Sequence, residues 1–156
     1  MELAYKIIKE DKDHTLVQLI GPMEASDFSL SALPLRVKTD ATLDLSQVGF
    51  LNSHLLVDWS QFVKEFSLNR KIIIKNCPSE VMYFFCLCPE LLDNCHVENF
   101  TCNYYCDDCG SEFSVSTIIP ESVEEVAKME TIECQSCGAE AESEMPLESF
   151  HILLNR

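Results

Sequence analysis

Hydrophobic positions along this chain change period several times, and the changes mark its elements. Residues 41–45 (ATLDL) alternate apolar and polar side chains around a β-branched threonine, the pattern of a buried strand. Ser46, Gln47 and Gly49 break that alternation. Leu55, Leu56, Trp59, Phe62, Val63 and Phe66 then recur at three- and four-residue intervals, which is one face of a helix. Asn52 and Ser53 stand just before the stripe, and both are good N-caps. The segment reads as strand, tight turn and capped helix, with Ser53 where backbone N–H groups and the helix dipole favour negative charge.

The same reading extends in both directions. Residues 3–9 and 15–20 predict two strands around the charged turn Glu10-Asp-Lys-Asp13, with Gly21-Pro22 ending the second. Residues 23–32 suit a short helix stopped by Pro34. Ile72-Ile73-Ile74 is a continuous apolar run, expected of a strand covered on both faces. Pro78 suits the first turn of another helix, with Val81, Met82, Phe85 and Cys86 inward and Pro89 at its end. Residues 96–101 give a weaker last strand. The order is ββαβαβαβ, an α/β fold with a mixed sheet and helical crossovers.

Asp44, Leu45, Ser46, Val48, Phe50, Leu51 and Ser53 fall on a pattern that resembles the STAS domain family, the fold of bacterial anti-sigma-factor antagonists. Asn52 stands where that family usually has an acid, His54 where it has a second hydroxyl residue, and Leu55 where it has a small one. The resemblance covers roughly the first two-thirds of the chain, on the usual scale of one domain. It implies helices packed largely on one face of the sheet. It also implies a regulatory protein partner (an anti-sigma factor, kinase or signalling scaffold). In switching members the serine matching Ser53 is phosphorylated by a partner kinase, so Ser53, with Asn52 and His54 beside it, is a candidate phosphorylation or partner surface. The competing role for Ser53 is a plain helix cap worth about 1 kcal/mol.

Composition shifts abruptly near Cys102, which places an expected boundary between a domain at residues 1–101 and a module at residues 102–156. The net charge is −15, and the two parts share it unequally: 9 Lys and Arg against 14 Asp and Glu in the first, 2 against 12 in the second. An acidic field of this size repels phosphate backbones and argues against nucleic acid as a partner. No apolar run approaches the roughly 18 to 20 residues of a membrane span, and MELAYKIIKE has no continuous apolar signal core. With nine cysteines and no export signal, the expectation is reduced thiols in the cytoplasm.

Four of those cysteines form two Cys-x-x-Cys-Gly turns, Cys106-Asp-Asp-Cys109-Gly and Cys134-Gln-Ser-Cys137-Gly. Two thiolates from each turn suit the soft tetrahedral site that Zn²⁺ prefers, and the glycines suit the positive φ such turns need. The expectation is a structural zinc ribbon with strands near residues 112–119 and 130–132 and a tail from Pro146 packing back. Four thiolates leave the ion no open position, so its role is folding rather than catalysis. Cys102 also precedes Cys106 and Cys109 in a C-x₃-C-x₂-C spacing, but an iron–sulfur reading strands the second pair, and Cys102 is expected to be a neighbour. Asp44 and Asp58 form no convincing acid–base pair, and the histidines show no ligand spacing. The chain is thus expected to be a non-catalytic regulatory interaction module. The alternative is a zinc-ribbon protein associated with nucleic acid, for which the C-terminal part offers only Lys128 and Arg156 as positive charges.

Overall fold

The computed structural model describes residues 4–23, 32–51 and 53–155. Within them the fold is mixed α/β, with two sheets and five α-helices. The first sheet holds β1 (Ala4–Glu10), β2 (His14–Met23), β3 (Asp40–Leu51), β4 (Ile72–Lys75) and β5 (Cys95–Val97), ordered as they occur in the chain. β1 and β2 are an antiparallel hairpin, and every later pairing is parallel. The hairpin turn is closed by Asp11, whose Oδ1 accepts from the amides of Asp13 and His14 at 3.0 and 2.8 Å. Helices α1 (Leu33–Arg36), α2 (Ser53–Ser67) and α3 (Ser79–Leu87) lie between the parallel strands. Successive crossovers step the same way across the sheet. Right-handed connection therefore keeps α2 and α3 on one face.

That face is the core. Val17, Leu19, Leu43, Leu45, Ile72 and Ile74 are buried on alternate strand positions. Trp59, Phe62, Val63 and Phe66 meet them from α2, and Val81, Met82, Phe85 and Cys86 from α3, as the periodicity predicts. Trp59 stacks obliquely on Phe62 and Phe85 at 5.7 and 5.6 Å, and its indole N–H donates to the Leu91 carbonyl at 3.1 Å. Arg70 fixes α1 against α2. Its guanidinium donates to the carbonyls of Phe66, Pro34 and Val37, and it lies 4.1 Å over the Phe66 ring.

Several expectations need correcting. β3 does not stop at Leu45. It runs on to Leu51 because Ser46 and Gln47 are absorbed as a bulge: Gln18 to Ile20 on β2 spans Asp44 to Gln47 on β3. The Asp44 carboxylate caps that bulge, accepting from the Ser46 amide at 3.0 Å and the Asn76 side chain at 3.1 Å. β2 likewise continues through Gly21-Pro22, with a second irregularity there that tolerates the missing proline donor. Pro34 lies inside the first turn of α1, since a helix start has no use for its N–H. The helix expected over residues 23–32 falls mostly outside the described residues. Ile73 is half-exposed, because helices cover only one face of the sheet.

The expected last strand is two strands. β5 pairs with β4, and after two residues β6 (Phe100–Tyr105) enters a second, antiparallel sheet with β7 (Glu112–Thr117), β8 (Thr131–Glu133) and β9 (Glu140–Ser143), in the order β7-β6-β9-β8. The expected boundary between residues 101 and 102 therefore falls inside β6. Paired backbone joins the sheets: Glu98 N–H to the Ile74 carbonyl at 2.8 Å, Cys77 N–H to Asn99 at 3.2 Å, and Thr101 N–H to Cys77 at 2.8 Å. Asn76, at φ 51°, exchanges hydrogen bonds with the Asn99 side chain at 3.0 and 3.1 Å. The tail forms α5 (Phe150–Leu154), whose Phe150 ring meets Phe100 at 5.5 Å and which packs on α3. The hydrophobic pattern predicts no element where α4 (Val123–Lys128) forms. Ser122 caps it by accepting from the Glu125 amide at 3.2 Å, and the Ser-x-x-Glu signature was present in the sequence.

Two outcomes follow from this packing. Phe100→Ala should lower unfolding stability by about 3–5 kcal/mol, and urea melts followed by Trp59 fluorescence and by far-UV circular dichroism should still coincide. Separate transitions would show that the two sheets unfold independently. Asp44 is the second case. Burial raises its pKa, but the Ser46 amide, the Asn76 side chain and Lys75 outweigh that and hold it below its ordinary value of 3.8. A depressed carboxylate contributes stability above its unfolded pKa and loses it as pH falls through the folded one. Asp44→Asn should therefore flatten the acid limb of the stability profile below about pH 4, measured by denaturant midpoints against pH.

Candidate metal centre

Each Cys-x-x-Cys turn sits at the tip of a hairpin. The first joins β6 to β7, the second joins β8 to β9, and pairing of β6 with β9 brings the two tips together. The turns are built alike. The amide of the first cysteine bonds to the residue beyond the glycine: Cys106 to the Ser111 carbonyl at 2.9 Å, Cys134 to the Ala139 carbonyl at 2.7 Å. The glycine amide returns to the first cysteine's carbonyl, at 2.8 Å for Gly110 and 2.9 Å for Gly138. This closure needs positive φ, and the two glycines have 69° and 78°.

The result is a cluster of four sulfurs, Cys106, Cys109, Cys134 and Cys137, all within 4.8 Å of one another. Cys106 lies 3.6 Å from Cys137 and Cys109 lies 3.7 Å from Cys134, so the shortest approaches cross between the turns. A single cation could be held by all four. The first cysteine of each turn is buried and the second exposed, which puts the cluster at the rim of the ribbon.

Local dipoles prepare two of these sulfurs for ionisation. Cys109 is held down to about 6, first by the Ser111 hydroxyl, 3.1 Å from its sulfur, and then by the Ser111 amide. Cys134 is lowered by the backbone N–H of Cys137 and then that of Ser136. Cys137 moves the other way, up to about 12. The Ala139 amide favours its thiolate, but the crowded sulfurs of Cys109 and Cys106 outweigh it. One thiolate per turn is favoured by the protein alone, and a cation is what allows all four to ionise together. The cysteines outside the ribbon contrast with this: burial pushes Cys86 to about 11 and Cys95 to about 12. Those thiols are packing groups of low reactivity.

Cys102 is not part of the cluster. It is buried beneath the ribbon with its sulfur 3.4 Å from the Ser143 hydroxyl. Its position in β6 sends it into the shared core, away from the hairpin tip. Asp44 is occupied by Ser46, Asn76 and, at 4.0 Å, Lys75, while Asp58 is half-buried on α2; neither joins a catalytic pair. Ser53 and His54 belong by backbone to the start of α2, and their side chains, with all of Asn52, lie outside the described residues. Ser111 and Ser143 entered no expectation, because nothing in cysteine spacing marks a hydroxyl neighbour. Among the described residues no helix is long and apolar enough to cross a membrane. Comparison with family models, with characterised proteins and with solved structures finds no match to this chain.

Replacing Cys106 or Cys134 with Ser should abolish stoichiometric metal binding, read by elemental analysis of protein purified under reducing conditions. Gly110→Ala is the subtler test. No atom lies within 4 Å of an added Cβ, so the expected loss of about 1–2 kcal/mol in the metal-loaded form comes from positive φ alone. A neutral Gly110→Ala would mean that the turn relaxes out of the observed geometry.

Proposed function

We propose that this chain is a non-catalytic regulatory protein-interaction module of the cytoplasm, STAS-like in its first sheet and held together in its second by a structural zinc ribbon. The observation that carries this reading is the four-thiol cluster on two matched hairpin tips. Zn–S bonds of about 2.3 Å in a tetrahedron require sulfur–sulfur edges of about 3.8 Å, close to the 3.6 and 3.7 Å approaches across the turns. Four thiolates complete the coordination of zinc and leave no position for water or substrate. The ion then acts on folding. A small antiparallel sheet with an alternating, half-exposed strand such as β7 gains from metal what its core does not supply.

The STAS-like part of the reading is supported by the mixed sheet in sequential order, by crossover helices on one face, and by the Asp44 to Ser53 segment that leads from β3 into α2. On that reading, the start of α2 around Ser53, Asn52 and His54 meets a regulatory protein such as an anti-sigma factor, kinase or scaffold. Acidity favours a protein partner over nucleic acid, since 12 acidic residues against 2 basic ones lie from residue 102 onward.

Elemental analysis should find one zinc per chain, and iron in its place would overturn the ribbon assignment. Affinity capture from the native cells, followed by mass spectrometry, should enrich the same regulatory protein with wild type and Ser53→Ala, and much less of it with Ser53→Asp. Ser53→Ala should cost about 1 kcal/mol of stability as a lost cap. Micromolar binding to DNA or RNA that weakens steeply with added salt would replace this reading with the nucleic-acid one.

A further inference from the structure

Where α3 meets the ribbon there is a cleft of about 360 Å³ whose lining includes none of the four clustered cysteines. Its walls come from both sheets: the first two turns of α3 on one side, β6 and the turn following β9 on the other. Tyr83 and Phe84, both half-buried with ring centroids 6.3 Å apart, give it an aromatic wall, and Met145 adds a soft apolar contact. Glu80 and Glu144 are its only charged residues. Neither carboxylate belongs to an ion pair among the described residues.

The polar floor of the cleft is fixed. Asn103 donates to the Ser79 hydroxyl at 3.0 Å, accepts from the Ser114 hydroxyl at 2.8 Å, and takes the Glu144 amide on its own carbonyl at 2.9 Å. Its hydrogen-bonding capacity is largely spent within the protein, so recognition falls to the rings and the two carboxylates. An anion is repelled there, by the carboxylates and by a net charge of −15. A purely apolar ligand leaves both carboxylates unused. A cation on an apolar stem satisfies every wall: the stem lies along Met145 and the rings, and the head meets Glu80 and Glu144 beside an aromatic face.

We propose that this cleft binds an organic cation, a guanidinium or ammonium group carried on an alkyl chain. The group can come from an arginine or lysine side chain of a polypeptide or from a free alkyl diamine, and both present the same chemistry to the cleft. This site depends neither on the identity of the metal nor on the partner surface at the start of α2. It does depend on the ribbon, because Glu144 and Met145 directly follow β9, whose pairing with β8 closes the second cysteine turn.

The test is a titration of the intact, metal-loaded protein followed by ¹H–¹⁵N correlation spectra. The probes are N-acetyl-arginine methylamide, 1,4-diaminobutane, and the uncharged N-acetyl-citrulline methylamide as control. Saturable shifts confined to the amides of Glu80, Tyr83, Asn103 and Met145 are expected with one or both cations, and at least about tenfold weaker binding with citrulline. Preference for the capped arginine identifies a polypeptide as the source, and preference for the diamine identifies a free amine. Glu80→Gln with Glu144→Gln, both exposed positions, should weaken the cation about tenfold or more while leaving the thermal midpoint unchanged. Equal binding of citrulline, an unaltered affinity in the double variant, or no saturable shift up to about 20 mM of either cation would overturn the proposal.

Discussion

The two sheets of this protein are held as one body by four residues of backbone on each side of a crossing. Ile74 to Cys77 leaves the edge of β4 while Glu98 to Thr101 passes beside it, and amides and carbonyls pair across the gap. Such groups cannot be buried without partners, so this pairing is what permits a chain to leave one sheet and enter another inside a core. Phe100, at the middle of the crossing, is fully buried and packs on Phe150 from the far end of the chain. Asn76 is suited to the bend because asparagine tolerates positive φ, and the Asn99 side chain accepts from its amide in place of a backbone carbonyl.

The second sheet has a different source of order. β7 and β8 alternate exposed and half-buried positions, and the four-stranded ribbon has little interior of its own. Its buried residues include Phe100, which packs on Phe150, and Cys102 and Tyr104, whose hydroxyl donates to the Met129 carbonyl at 2.9 Å. At the far tip, where the four thiols meet, Cys106 and Cys134 are buried at the end of that core while Cys109 and Cys137 are exposed. A cation there neutralises sulfurs that otherwise repel one another and fixes both hairpins at once.

Charge is distributed in keeping with this division of labour. The crowded acidic side chains of the ribbon are on its outward face: Glu133 lies directly across from Glu140, and Glu142 across from Tyr105. Like charges facing across strands destabilise a sheet, a cost that a cation held by the four thiols would help to offset. Two of the chain's carboxylates, Glu80 and Glu144, line the cleft between α3 and the ribbon together with Tyr83 and Phe84.

How much of this was legible in the sequence follows from how local each signal is. Helix faces were legible because Trp59, Phe62, Val63 and Phe66 repeat with the helix period, and the hairpin because four charged residues separate two apolar runs. The four-cysteine cluster was legible because each half is a four-residue turn whose glycine requirement is written in place. The sequence could not say that β3 passes through Ser46 and Gln47, since a bulge exists only relative to the register of its neighbour β2. Nor could it divide residues 95–105 into two strands, because the break depends on which sheet each amide finds. The boundary expected after Thr101 followed from composition and falls inside β6, whereas the chain passes from one sheet to the other at residues 98–99. The cleft between α3 and the ribbon was beyond any local signal: Glu80 and Glu144 are 64 positions apart in the sequence. Local periodicity fixes elements and turns, and only the packing of one sheet against the other decides which distant side chains share a surface.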